Sequence, residues 1–94
     1  MKYKVDFTSN FKKQYKKIKK QGKDLNKLYE IIEKLAEGKE LEPKYKNHTL
    51  LNDKRYKDCK ECHIEPDWLL VYQIKDNELI LLLFATGSHS ELFN

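Results

Sequence analysis

The sequence predicts an α+β fold in which an N-terminal strand and a two-helix hairpin pack on a mainly antiparallel sheet of four to five strands. Three observations predict it. The apolar spacing changes from two residues to three and four after Phe7, Gly22 and Asp24 divide a charged helical stretch in two, and after Gly38 the chain carries only short strand-like runs. Helices gathered at one end of a sequence and strands at the other give an α+β sandwich, with the hairpin on one face of the sheet and the other face partly open.

In KYKVDF, residues 2 to 7, polar and apolar residues alternate, and Tyr3, Val5 and Phe7 fall on one face of a short strand. Ser9 or Asn10 can then cap a helix carrying Phe11, Tyr15 and Ile18 on one side and Lys12, Lys13, Lys16, Lys17, Lys19 and Lys20 around the rest. Gly22 ends that helix and Asp24 caps the next, whose stripe of Leu25, Leu28, Ile32, Leu35 and Ala36 stops at Gly38. Asn47 to Leu51 is a candidate short strand, and longer strands are expected from Arg55 to Ile64, Trp68 to Ile74 and Glu78 to Thr86. Pro66-Asp67 and Asp76-Asn77 mark the turns. The unbroken apolar character of ELILLLFAT predicts a strand buried on both faces, hence central in the sheet.

A chain of 94 residues is one domain, 1–94, with a modest core. Its formal charge of +4, from 19 basic and 15 acidic residues, favours a polyanionic partner. The longest apolar run, Leu79 to Ala85, has seven residues, where a membrane-spanning helix needs about 20. The start MKYKVDFTSNFKKQYKK has no apolar core of a signal peptide, so a cytoplasmic protein without a membrane association is expected.

The pentapeptide CKECH, residues 59 to 63, has the spacing of a covalent haem attachment site. Attachment needs both thiols and the imidazole to converge on one porphyrin, whereas on a strand Cys59 and Cys62 point to opposite faces. Cys62 then shares a face with Ile64, and Cys59, Glu61 and His63 share the other. Structural zinc wants four ligands and no second cysteine pair exists. No metal or other cofactor is therefore expected. Cys62 reads as a small core residue, while Cys59 stays unassigned.

Three histidines, His48, His63 and His89, fall in or beside the expected strands, with Glu61 and Asp67 near the middle one. Cleavage of an RNA phosphodiester needs a base for the 2′-hydroxyl proton and an acid for the leaving 5′-oxygen, and histidine serves either task near neutrality. A cation must also stabilise the charge building on the phosphate. A lone histidine on a strand is more often structural, a lysine-rich helix face is more often just solvated, and Trp68 at a strand start reads as core.

The blocks KYKNHTL, ECHIEPDWLLVYQI and GSHSELF, in this order and spread over essentially the whole chain, resemble the YafQ-type branch of the RelE/ParE toxin superfamily. The resemblance implies a RelE-like fold and a toxin of a bacterial type II toxin–antitoxin module. It further implies an endoribonuclease that enters the 30S A site of the ribosome and cuts the mRNA codon there without a metal. Carried over by position, His48, His63, Asp67 and His89 match active-site residues, and Phe93 matches an aromatic residue that contacts the substrate. Trp68 matches as an RNA contact beside its core reading, and Glu61 matches a position of variable residue type. On that basis His89 is expected as general acid, Asp67 or His48 as base, and His63 as the residue that orients the phosphate. The resemblance also implies a cognate antitoxin, with the toxin a monomer alone and a hetero-oligomer in complex. Two rivals are a gyrase poison of the ParE kind, which does not carry this histidine set, and a basic RNA-binding module without catalysis.

Overall fold

The computed structural model describes residues 2–93. Its elements run β1 (Lys4–Phe7), α1 (Ser9–Lys20), α2 (Leu25–Ala36), a 3-10 turn (Pro43–Tyr45), β2 (His48–Thr49), β3 (Lys60–Glu65), β4 (Trp68–Lys75), β5 (Ile80–Gly87) and α3 (His89–Phe93). The strands form one sheet in the order β1-β5-β4-β3-β2, with β1 parallel to β5 and every other pair antiparallel. The expected α+β architecture is the observed one, and no helix among the described residues is long and apolar enough to cross a membrane.

Both long helices end in the same way. Gly22 and Gly38 each adopt φ +77, and the amide of the residue after each bonds back to the carbonyl of Ile18 or Lys34 to close a Schellman motif. At the other end, Asp24 caps α2 as expected, but α1 is capped by Thr8, whose hydroxyl accepts the Phe11 amide at 3.0 Å. Thr8 prevails over Ser9 and Asn10 because its hydroxyl also donates to the Phe84 carbonyl at 2.8 Å, tying the cap to β5.

The helix-covered core holds Phe11, Ile18, Leu28, Ile31 and Leu35 against Cys62, Ile64, Trp68, Leu70, Tyr72, Leu81 and Leu83. Tyr3 and Val5 belong to it, whereas Phe7, expected on the same face, is 51% exposed at the sheet edge. A second, smaller cluster of Tyr56, Cys59, Leu69, Val71, Ala85 and Leu92 covers part of the far face. That face is thus less open than expected near α3, while Ile80 and Leu82 stay half-buried along β5. Consequently β5 is buried on both faces only in its second half, and β4, not β5, is the middle strand.

The change along β5 has a local cause. Val71 pairs with Ala85 and Tyr72 with Leu83, which leaves Phe84 as an extra residue in a bulge. Before it, Leu81 and Leu83 face the helices; after it, Ala85 joins the far cluster. Thr86 is thereby turned inward, where its hydroxyl accepts the Trp68 indole N–H at 3.0 Å and donates to the Leu69 carbonyl at 2.8 Å.

Two expected strands are shorter than their sequence pattern. The segment expected to run from Arg55 to Ile64 becomes a strand only at Lys60, because Asp53 accepts the amides of Arg55 and Tyr56 and bends the chain into turns up to Asp58. Asn47 to Leu51 contributes only the two residues of β2.

Candidate active site

Along β3 the side chains alternate: Cys62 and Ile64 point under the helices, and Glu61 and His63 point to the far face. His48 on β2 pairs directly with Glu61, so it shares that face. The result is a carboxylate flanked by two imidazoles. Glu61 Oε1 lies 3.6 Å from His48 Nε2 and 3.5 Å from His63 Nε2, an ion-pair contact in each case when the ring is protonated. The three differ in exposure: the Glu61 side chain is 6% exposed, that of His63 24% and that of His48 51%.

The outer ring nitrogens fix the orientation. His48 Nδ1 is 2.7 Å from the Lys46 carbonyl and His63 Nδ1 is 3.2 Å from the Pro66 carbonyl. A carbonyl only accepts, so each Nδ1 carries a proton and each Nε2 is turned toward Glu61.

Asp67 and His89 form a second group. Asp67 Oδ1 accepts the backbone N–H of His89 at 3.0 Å, at the start of α3. That helix is set by a capping box: the Glu91 amide donates to the Ser88 hydroxyl at 3.2 Å, and the Ser88 amide donates to Glu91 Oε1 at 2.8 Å. Glu91 is further paired with Lys17 of α1, and that contact, ahead of the bonds from Ser88, pulls its carboxyl down to about 2. The His89 ring lies 5.0 Å from that of Phe93, which in turn meets Tyr56 edge-on at 5.3 Å. His63 opposes Leu69, and Leu69 opposes Gly87. Two strand spacings, roughly 10 Å, therefore separate His63 from the base of α3 on this face.

Trp68 is fully buried in the helix-covered core, with Lys23 Nζ 5.7 Å from its ring centroid. Its burial fits the core reading and leaves it no surface for RNA. The two thiols also stand apart, Cys62 in the helix-covered core and Cys59 in the far cluster. Burial pushes Cys59 up to about 11 and Cys62 up to about 12, so both stay protonated at neutral pH. Divided between two clusters, they have no common ligand to converge on. Among the described residues no group of three or more His, Cys, Asp or Glu is arranged to hold a metal ion.

The sequence reasoning missed Arg55 and the helix that carries His89. Arg55, the single arginine of the chain, brings its guanidinium carbon to 5.7 Å from the Tyr56 ring and 5.9 Å from the Phe93 ring. Its rarity among 18 lysines was the available signal. For α3 the signal was Ser88-x-x-Glu91, a capping box in plain view.

A helix hairpin behind a mainly antiparallel sheet, with His48, Glu61 and His63 together on the far face, defines a RelE-like α+β protein. The chain belongs to the YafQ family, described as the bacterial toxin of type II toxin–antitoxin systems, which it matches over residues 3–94. It is 33% identical over 90 residues to the mRNA interferase toxin YafQ of Escherichia coli BL21-DE3, covering 95% of this chain and 94% of that one. Among solved structures, a metal-bound toxin from Helicobacter pylori is 46% identical with a TM-score of 0.90, covering 97% of this chain and 99% of the other. The E. coli DinJ–YafQ complex is 32% identical with a TM-score of 0.87, covering 98% and 99%.

Proposed function

We propose that this toxin, an mRNA interferase by family, is an endoribonuclease that cuts mRNA in the ribosomal A site by general acid–base chemistry of its own side chains. The observation that carries the reading is the buried Glu61 carboxylate held between two imidazoles, on the same face as the Asp67–His89 group. His48 takes the 2′-hydroxyl proton on Nε2, and Glu61 stabilises the imidazolium that results. The freed O2′ attacks phosphorus, the bond to O5′ breaks, and His89 gives that oxygen a proton. The products are a 2′,3′-cyclic phosphate and a 5′-hydroxyl. His63 orients the phosphate, and Arg55 supplies the planar cation that meets its growing charge. Asp67, committed to the His89 amide, acts as a positioning residue. Phe93 offers a ring to a base, and stacking of this kind contributes about 1–3 kcal/mol.

The lysines of α1, exposed from Lys12 to Lys20, suit ribosomal RNA phosphates. The solved DinJ–YafQ complexes support a cognate antitoxin as the second partner.

Mapping of 5′ ends on a defined mRNA in a purified translation system tests the reading. In-frame cuts that need ribosomes, and that fall by about 10²–10⁴-fold in His89→Ala, are expected. An intact message in the presence of translating ribosomes and the native protein would end the nuclease reading in favour of gyrase poisoning or plain binding.

A further inference from the structure

Beside the imidazole pair, a groove of about 460 Å³ runs between α2 and the 3-10 turn. His63 stands at one end, and Lys27, Lys44, Tyr45 and Lys46 line the rest. Its volume lies in the range of small-ligand sites, roughly 300–1,000 Å³. We propose that this groove is a nucleotide subsite, holding the mRNA residue next to the cut with its base on Tyr45 and its phosphate between Lys44 and Lys46. The inference rests on the nuclease reading and adds to it the surface that reads the message.

Three features point to a nucleotide. Tyr45 is half-buried and already attracts cations: Lys44 Nζ lies 5.1 Å from its ring centroid and Lys34 Nζ 5.9 Å. A base laid on that ring displaces the Lys44 ammonium, which is then in reach of the phosphate the base carries. Next, the chain accepts strain to build the wall. Lys46 sits at φ 48, in the left-handed region that residues with a side chain seldom occupy, and it closes the 3-10 turn through its amide. Strain of this kind concentrates at ligand clamps. Its carbonyl is also the one that takes the His48 Nδ1 proton, so the residue lining the groove sets the angle of the candidate base.

The third feature is continuity. A second depression, about 600 Å³, begins on the other side of Pro66 and contains Asp67 and Lys23. The two share Lys27, Glu65 and Pro66. A single strand laid along both passes the β3–β4 turn between His63, the residue that orients the phosphate, and Asp67, the residue that positions the candidate acid. Three lysines line the groove against two acids: Lys27 is paired with Glu65 at 2.8 Å, and Lys44 reaches Glu42, outside the lining, only at 4.0 Å.

Two measurements on the full chain test the subsite. The first is single-turnover cleavage on programmed ribosomes at rising toxin concentration, comparing native protein with Tyr45→Phe and Tyr45→Leu, each checked by thermal melting. Tyr45→Phe is expected to behave as native. Tyr45→Leu should raise the half-saturating concentration by about 5- to 150-fold, leave the saturated rate unchanged, and flatten the base preference at one mRNA position beside the cut. Equal cleavage and an equal cut profile in a folded Tyr45→Leu overturn the subsite. So does weakening that is uniform across codons, which marks ribosomal RNA as the occupant, or a loss shared by both variants in step with melting temperature.

The second measurement needs no cleavage and separates the subsite from the nuclease reading. The native protein is titrated with a short oligonucleotide, 2′-deoxy at the cut, while the Tyr45 and His63 ring resonances are followed by NMR. Saturable shifts at both rings in the native protein, with the His63 shift lost in Tyr45→Leu, support the subsite even if the message is never cut. Unmoved Tyr45 resonances overturn it.

Discussion

The two faces of β3 and β4 differ in what they do with a polar atom. Under the helices, the buried polar side chains of β4 each have a neutral partner: the Trp68 indole on Thr86, the Tyr72 hydroxyl on Asn47 at 2.6 Å. On the far face, one carboxylate oxygen is shared by two imidazoles at distances beyond a hydrogen bond, and two of the three groups reach solvent. The inner face spends its polar atoms on uniqueness of packing; the outer face keeps proton sites that are still available. Alternate residues of β3 supply both, Cys62 and Ile64 to the helix-covered core and Glu61 and His63 to the far face.

The sharpest break in that comparison is on the inner side. Trp68→Ala should cost about 3–5 kcal/mol in urea unfolding, through a large cavity and the lost partner of Thr86. A loss under about 1 kcal/mol would show that the inner face is not the main core. On the outer side, Glu61→Gln keeps the shape and removes the charge between His48 and His63. Cleavage should fall by about tenfold or more, near 1.4 kcal/mol in the barrier, with an unchanged melting temperature. Coupled losses of stability and activity would erase the distinction between the faces.

A smaller effect concerns the support of α3. The folded Glu91 carboxyl is lowered from 4.5 to about 2, so its charged form is favoured by folding. The contribution is complete above the ordinary carboxylate range and fades as pH falls from about 4.5 toward about 2. Glu91→Gln should therefore destabilise by about 1 kcal/mol near neutrality, and the gap from native should close on acidification when unfolding is followed across that window. Least of all is expected from the thiols: with both buried and protonated up to about 11 and about 12, native protein should resist alkylation near neutral pH and label fully only when unfolded.

The helix hairpin was readable because its signals are local. A change of period, a glycine at each end and one acidic cap fall within a few residues of what they control. Thr8 was not, since three consecutive capping residues compete and the choice is made by a carbonyl 76 positions away. The strand expected from Arg55 starts only at Lys60, because Asp53 accepts the amides of Arg55 and Tyr56 and bends the backbone, which lets Tyr56 and Cys59, three residues apart, join one cluster. Alternation spoke against the haem pentapeptide, and the same alternation put Glu61 on one face with His63. Only pairing with β2 adds His48, and register between distant segments is not written in either of them. Glu61 drew less weight because its position is variable in residue type among the toxins it resembles, yet it lies between the two histidines.

The helix bearing His89 has five residues, far fewer than the dozen or so an isolated helix needs to persist in water. It survives by external holds: Lys17 from the hairpin, Asp67 from the β3–β4 turn, and the Tyr56 hydroxyl on the Leu92 carbonyl at 2.9 Å. Elements that rest on contacts from elsewhere are the kind that open locally, at a free energy below that of the whole domain. The candidate acid is thus present only while three separate parts of the molecule agree, and a ligand that loosens any one of them can disarm the site while the sheet stays folded.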